Sequence, residues 1–303
     1  MNKYLRLITD PLYRFSTFNV RGFYKKMPDD RFLKKLYRLK FQKELDLDNP
    51  KTFNEKLQWL KLYDRKPEYT KMVDKYEVKK LVAEKLGEEY VIPTLGVYDS
   101  FDEIDFDKLP DQFVLKCTHN SGGHVICRNK SSLNIPKAKK RISTALKQDY
   151  FLFGREWPYK NVPKKIIAEK YLIEKSELGE ECLTDYKWFC FNGEPKLMYI
   201  SKDNASEPTT DFFDMDFNHI EMRMKDPNSK TLPLKPSFFE KMKELAALLS
   251  QGIPQLRVDF YFVDGQIYVG ELTFFHNSGF SKIKPESWDL KLGEWITLPR
   301  IEK

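Results

Sequence analysis

The sequence predicts an α+β protein built from mostly antiparallel sheets, and three observations predict it. Amphipathic stretches with helix caps fill residues 1–90 and recur near 138–152 and 236–252. Two apolar runs turn back on themselves at Asn192-Gly193 and Asp264-Gly265, residue pairs that tight hairpins favour. From residue 113 onward the order is strand, glycine loop, strand, helix, strand, hairpin, helix, hairpin, which fits α+β lobes.

Each element has its own signal. In RFLKKLYRLKFQKEL (31–45), Phe32, Leu33, Leu36, Tyr37 and Leu39 recur at helical spacing among basic residues. Residues 1–45 hold 12 Lys/Arg against 4 Asp/Glu in a chain of net charge +7, so the remainder is close to neutral. A basic amphipathic helix here either lies on an anionic membrane surface or packs on its own domain with a solvated basic face, and the second is expected. No recognition helix or base-stacking motif accompanies the charge, so nucleic acid is not an expected partner. NPKTFNEKLQWLKLYDR opens with Pro50 and a Thr52-x-x-Glu55 capping box, with Phe53, Leu57, Leu60 and Tyr63 on one face. YTKMVDKYEVKKLVAEKLGEEY reads as one further helix stopped by Gly87. YVIPTLGVY is a short strand that Pro93 assigns to a sheet edge. FVLKCTHNSGGHVICRN (113–129) is strand, glycine loop, strand; AKKRISTALKQDYFL is a helix; KIIAEKYL (165–172) is a strand. DYKWFCFNGEPKLMYIS is a hairpin, PSFFEKMKELAALLSQG a helix ended by Gly252, and RVDFYFVDGQIYVGELTFF (257–275) a second hairpin.

Composition narrows the class. With 41% hydrophobic and 32% charged residues the chain is neither disordered nor fibrous. Its four Cys (117, 127, 182, 190) form no CxxC and have no His at ligand spacing, which argues for reduced thiols of a cytoplasmic protein and against zinc. No run of about 18 apolar residues offers a membrane span. The start MNKYLRLITDPLYRF lacks the apolar core and cleavage site of a secretory signal.

The last hairpin raises the chemical question, because it places Asp259 and Glu271 where Val or Ile would serve a half-buried strand. A two-residue loop at Asp264-Gly265 would put the two acids on opposite faces. A three-residue loop with Gly265 left-handed would bring Arg257, Asp259, Glu271 and Thr273 to one face. The expectation is one shared face, with an arginine and two acids that suit a metal and a phosphate. Lys116, on the strand before Ser121-Gly122-Gly123, is either a snorkelling hairpin lysine or a phosphate contact beside backbone donors. No Walker A or GxGxxG pattern is present. Glu169 and Lys170 end a buried strand whose edge could meet an adenine rim, and Asp185 and Lys187 share a strand face as an ion pair or a phosphate contact.

Taken in order, these segments resemble the ATP-grasp enzymes, and most closely the TupA-like branch linked to bacterial surface-polysaccharide and teichuronopeptide synthesis. The likeness spans roughly residues 45–285 and includes MVDKYEVKKLVAEKLG, VIPTLGVY and ELTFFHNSG. It implies an ATP-grasp fold, two α+β lobes gripping ATP, behind a helical basic N-terminal extension. The implied organisation is 1–60 extension, 61–110 reduced leading region, 111–175 small lobe and 176–303 large lobe. By resemblance, Lys116 and Lys187 hold ATP phosphates under the 121–123 loop, Glu169, Lys170 and Leu172 meet the adenine, and Glu177 takes the ribose. Asp259 and Glu271 hold Mg²⁺, and Arg257 steadies the transferring phosphoryl group. The implied reaction is ATP-dependent ligation of a carboxylate to an amine through an acyl phosphate, on a small-molecule or glycan acceptor at the cell envelope. The usual second metal acid is followed by Asn two residues on; Thr273 stands there, and Asn277 is the next amide. Three alternatives remain: a kinase on the same scaffold, a glycosyltransferase using Asp214-Met215-Asp216, and a non-catalytic scaffold on the membrane face, which the metal acids argue against.

Overall fold

The computed structural model describes residues 3–175, 181–201 and 208–300. Six helices come first: α1 (Lys3–Thr9), α2 (Pro11–Val20), α3 (Asp29–Phe41), α4 (Phe53–Tyr63), α5 (Glu68–Val73) and α6 (Glu77–Leu86). The basic helix α3 buries Phe32, Leu33, Leu36 and Tyr37, so it packs on its own domain. α4 starts at its capping box: Thr52 Oγ1 accepts from Glu55 N at 3.2 Å and Glu55 Oε2 from Thr52 N at 3.0 Å. The single helix expected from Tyr69 to Gly87 is instead two. Asp74 interrupts it by accepting from the amides of Tyr76 (2.9 Å) and Glu77 (3.3 Å), a local alternative to helical bonding.

A four-stranded antiparallel sheet follows, β1 (Thr94–Tyr98), β2 (Phe113–Cys117), β3 (Val125–Cys127) and β4 (Ile166–Lys170), in the order β1-β4-β2-β3. The Pro93-led strand is indeed at an edge. α7 (Ile135–Leu146) covers this sheet through Ala138, Ile142 and Ala145, which share a core with Phe113, Leu115 and Ile166. α8 (Phe151–Gly154) and the short pair β5 (Glu174–Lys175) and β6 (Glu181–Cys182) lead to a six-stranded antiparallel sheet. Its strands are β7 (Asp185–Phe191), β8 (Glu194–Ser201), β9 (Thr210–Phe213), β10 (His219–Ile220), β11 (Gln255–Val263) and β12 (Gln266–Thr273), in the order β10-β9-β8-β7-β11-β12. α9 (Phe239–Ser250) packs on one face, and α10 (Ser287–Glu294) rests against α4.

The N-terminal helices share one core with the large sheet, from Phe32 and Leu57 to Trp188 and Val258. A boundary at residue 60 therefore cuts through α4, because the apolar face begun at Phe53 continues to Leu60 without a break. The small sheet likewise begins with β1, before residue 111.

The β11–β12 hairpin brings the two acids opposite each other, Asp259 to Glu271 and Arg257 to Thr273, but by a different device from the one expected. Its turn is the two-residue one: Val263 pairs with Gln266, and Asp264 (φ 52°) and Gly265 (φ 80°) are both left-handed. Parity changes further along, where the register slips between Asp259 and Phe260 and leaves Gly270 as the extra residue of a β-bulge. A side chain at Gly270 would come within 2.7 Å of the Tyr261 ring, so the bulge needs a glycine there.

Candidate active site

The arginine of this hairpin is bound to one of its two acids, Asp259. Arg257 Nε and Nη2 donate to Asp259 Oδ1 and Oδ2 at 2.6 and 2.7 Å, the two-pronged fit of a guanidinium on a carboxylate. Nη2 also donates to Thr273 Oγ1 at 3.1 Å, and Nη1 to His276 Nδ1 at 2.7 Å. From the neighbouring strand β7, Lys187 Nζ lies 3.4 Å from Asp259 Oδ2 and 2.8 Å from Asp185 Oδ1. Burial works to raise the Asp259 carboxyl, but Arg257 and then Lys187 outweigh it and hold it low. Burial, Arg257 and Lys187 together keep His276 neutral. Its Nδ1 therefore accepts from Arg257, its Nε2 carries the proton, and the amide atom of Asn277 3.1 Å away is the oxygen.

Across the cleft, Lys116 of β2 and Lys79 of α6 both reach Glu169 of β4, each at 2.7 Å. Burial would raise the Glu169 carboxyl; Lys116 first and Lys79 second bring it down to about 2. Its carboxylate is thus committed to two lysines that face the cleft. The break between α5 and α6 aims Lys75 between the lobes, where Nζ meets Asn120 O of the glycine loop at 2.5 Å and Glu271 Oε1 at 3.8 Å.

Three spaces adjoin one another through shared wall residues. The first, about 320 Å³, has apolar walls from Ile92, Val114, Leu172, Leu183 and Tyr261, with Lys116, Glu169 and Lys170 at its edge. A narrow passage follows, walled by Lys75, Lys79, Lys116, Glu169 and Glu271. Beyond Glu271 opens a space of about 380 Å³ lined by Ser121, Glu156, Lys187, Arg257, Thr273 and several aromatic rings, among them Tyr150, Tyr159 and Tyr199. The order apolar slot, cationic neck, polar chamber matches a base, a string of phosphates and a second reactant.

The donor set accommodates a nucleotide: a partly apolar slot with room for a nucleobase adjoins at least three lysines beside a loop where Gly122 and Gly123 are left-handed (φ 85° and 72°). For magnesium the fit rests on Glu271. No three His, Cys, Asp or Glu side chains are grouped as metal ligands among the described residues, but magnesium on a nucleotide needs only one or two carboxylates besides the phosphates. Glu271 is only partly buried, whereas both oxygens of Asp259 are on Arg257.

The expected site residues therefore assemble as follows. Lys116, Glu169, Lys170 and Leu172 border the first space, and Ser121, Lys187, Arg257, Glu271 and Asn277 the last. The Asn277 side chain is engaged with His276 and with Ser281 Oγ at 2.9 Å, where it fastens the loop after β12. Glu177 lies outside the described residues. Asp214 and Asp216 lie apart, in the β9–β10 turn: Asp214 Oδ1 accepts from the amides of Asp216 (2.9 Å) and Asn218 (2.8 Å), and Oδ2 from Asn218 Nδ2 (3.0 Å). Sequence reasoning missed Lys75, Lys79, Glu156 and His276. It also missed Asn54, Gln58 and Lys61, a polar stripe on α4 that holds the loop after β12. Lys61 Nζ is fully buried and donates to Gln58 Oε1 (3.0 Å), Gly154 O (2.7 Å) and Ser278 O (2.8 Å).

Two antiparallel sheets that close on a cationic cleft, with a glycine loop on one side and an acidic hairpin on the other, have the architecture of the ATP-grasp class. The TupA-like ATPgrasp family model matches residues 55–297, and the chain belongs to that family. No curated protein matches the sequence. Among solved structures it is similar to D-alanine–D-alanine ligase from Bacillus anthracis in complex with ATP, at 17% identity, TM-score 0.40, over 67% of this chain and 55% of that one. The Helicobacter pylori D-alanine–D-alanine ligase gives 16% identity, TM-score 0.43, 82% and 70% coverage. An N5-carboxyaminoimidazole ribonucleotide synthetase in complex with ADP gives 16%, 0.42, 74% and 52%. The chain thus aligns with little more than half of the first of these.

Proposed function

We propose that the protein is an ATP-dependent carboxylate–amine ligase acting on a bacterial surface polysaccharide or its precursor. The observation that carries this reading is the succession of three adjoining spaces, the first two sharing Lys116 and Glu169 in their walls and the last two sharing Glu271. Adenine occupies the slot between Val114, Leu172 and Tyr261, and the phosphates run past Lys116, Lys79 and Lys75 under the 121–123 loop. Glu169 fixes two of these lysines and so sets the electrostatic floor of the neck. Glu271 is the carboxylate that holds magnesium, which when bound neutralises the terminal phosphates. Arg257, locked by Asp259, Thr273 and His276, and Lys187 face the chamber where the carboxylate substrate attacks the γ-phosphorus. The bond to the β-γ bridging oxygen breaks and ADP leaves. An amine then attacks the acyl carbon, releasing phosphate and a proton. The polysaccharide context rests on the family likeness alone.

The test is ADP release from purified protein with panels of uronic acids, amino acids and amino sugars. Release that needs both a carboxylate and an amine supports the ligase. Release with a sugar hydroxyl alone makes it a kinase. Binding of a nucleotide sugar through Asp214 and Asp216, indifferent to ATP, would overturn the reading altogether. Glu271→Gln should lower the rate by about two to three orders of magnitude while the protein stays folded.

A further inference from the structure

α1 presents apolar side chains to the outside: none of its residues is buried, and Leu5 and Ile8, on one side of the helix, are 51% and 72% exposed. Val20 and Phe23, where α2 ends, are 60% and 72% exposed. Among residues 3–26 stand six basic residues (Lys3, Arg6, Arg14, Arg21, Lys25, Lys26) and one acid, Asp10. Asp10 is turned inward on the arm: it accepts from Tyr13 N at 2.9 Å and pairs with Arg6 at 3.2 Å. The arm is nevertheless held in place, since Arg14 Nη1 donates to Ile8 O at 3.1 Å and Arg6 sits 4.2 Å over the Tyr13 ring. Single exposed apolar side chains are ordinary. Four large ones (Leu5, Ile8, Val20, Phe23) on a short segment with six cations and one acid match a helix lying in a membrane interface.

We infer that residues 3–26 dock on an anionic lipid surface, with the apolar side chains at the headgroup–acyl boundary and the cations over the headgroups. Charge complementarity selects the bilayer over a second copy of the chain, because two copies would press like-charged arms together. This narrows the expectation of membrane contact through residues 1–45, because the apolar face of the helix within 31–45 is spent on the core. Docking does not depend on the ligase reading, but it bears on the chamber. Asn19 Nδ2 donates to Leu152 O at 2.5 Å and Arg155 Nη2 to Tyr24 O at 2.6 Å, which fastens the arm to the segment carrying Tyr150 and Glu156 of the chamber wall. A docked arm therefore ties this segment of the chamber wall to the lipid surface.

The experiment is co-sedimentation of the full chain with vesicles of phosphatidylcholine, with and without phosphatidylglycerol. Binding should require phosphatidylglycerol and weaken as salt is added. Lys25→Ala with Lys26→Ala should weaken it about thirtyfold. Ile8→Glu with Phe23→Glu should weaken it by about tenfold or more. All four side chains are exposed, so the variants should fold, as circular dichroism would verify. Binding indifferent to phosphatidylglycerol, or unchanged in both variants, would overturn the inference. So would a dimer in solution that Ile8→Glu with Phe23→Glu dissociates, which would assign the face to a second copy.

Discussion

With both oxygens on Arg257 and Lys187 close behind, Asp259 is 2% exposed and carries the charge balance of the hairpin. Asp259→Asn leaves a buried guanidinium short of a counter-charge and should cost about 3–5 kcal/mol in urea unfolding, whatever it does to nucleotide binding. Glu271 is different, since it is only partly buried and its nearest cation, Lys75, stands 3.8 Å away. Glu271→Gln should change stability by less than about 1 kcal/mol, so loss of magnesium-dependent ATP binding in that variant is the cleaner test of the proposed metal site. Glu169 gives a pH signature. Its carboxyl is held at about 2 against an ordinary 4.5, so the folded state is favoured above the ordinary value. That advantage should fade as pH falls from about 4.5 toward 2, and Glu169→Gln should flatten this part of the stability–pH curve. An unchanged slope would detach Lys116 and Lys79 from the carboxylate.

At the scale of elements, much was legible in the sequence because its causes are local. The capping box of α4, the Asn192-Gly193 turn and the glycine loop each follow from a few adjacent residues. The β11–β12 hairpin shows where that stops. Its acids do share a face, yet the parity is corrected at Gly270 rather than at the turn, and Asp264-Gly265 alone points the other way. The residue at the bulge must be glycine because Tyr261, on the partner strand, leaves no room for a side chain there. Gly270→Val forces that ring aside and should cost about 1–3 kcal/mol, and it should also disturb the pairing of Asp259 with Glu271. A variant as stable as the parent, with unaltered ATP binding, would show that the bulge does not set the register. The α5–α6 break was missed for a similar reason. The apolar pattern of residues 69–87 is helical throughout, and only the side-chain bonds of Asp74 interrupt it.

Over the whole molecule, the residues that sequence reasoning missed are those whose partners lie in distant segments. Lys79 meets Glu169, Lys61 meets Gly154 and Ser278, and Arg257 meets His276, pairings that no local pattern announces. They also explain why the helical N-terminal part is not a detachable extension: α4 is at once a wall of the large core and the clamp on the loop after β12. The small sheet keeps its own core, from Phe101 to Ala168. Lys75 joins the two units, with its ammonium between Asn120 O of the small lobe and Glu271 of the large one. Calorimetry should register this arrangement. Magnesium-ATP at a hundredfold excess over its dissociation constant stabilises a binding-competent fold by about 2.7 kcal/mol. In the proposed binding mode the nucleotide touches both lobes, so it should move unfolding of the small lobe up toward that of the large one. Lys75→Met removes the bridge without emptying the apolar slot, so it should separate the two transitions and shrink the nucleotide-dependent shift. A shift confined to one transition in the parent protein would mean that the nucleotide rests on a single lobe, and the cleft between the sheets would lose its assigned role.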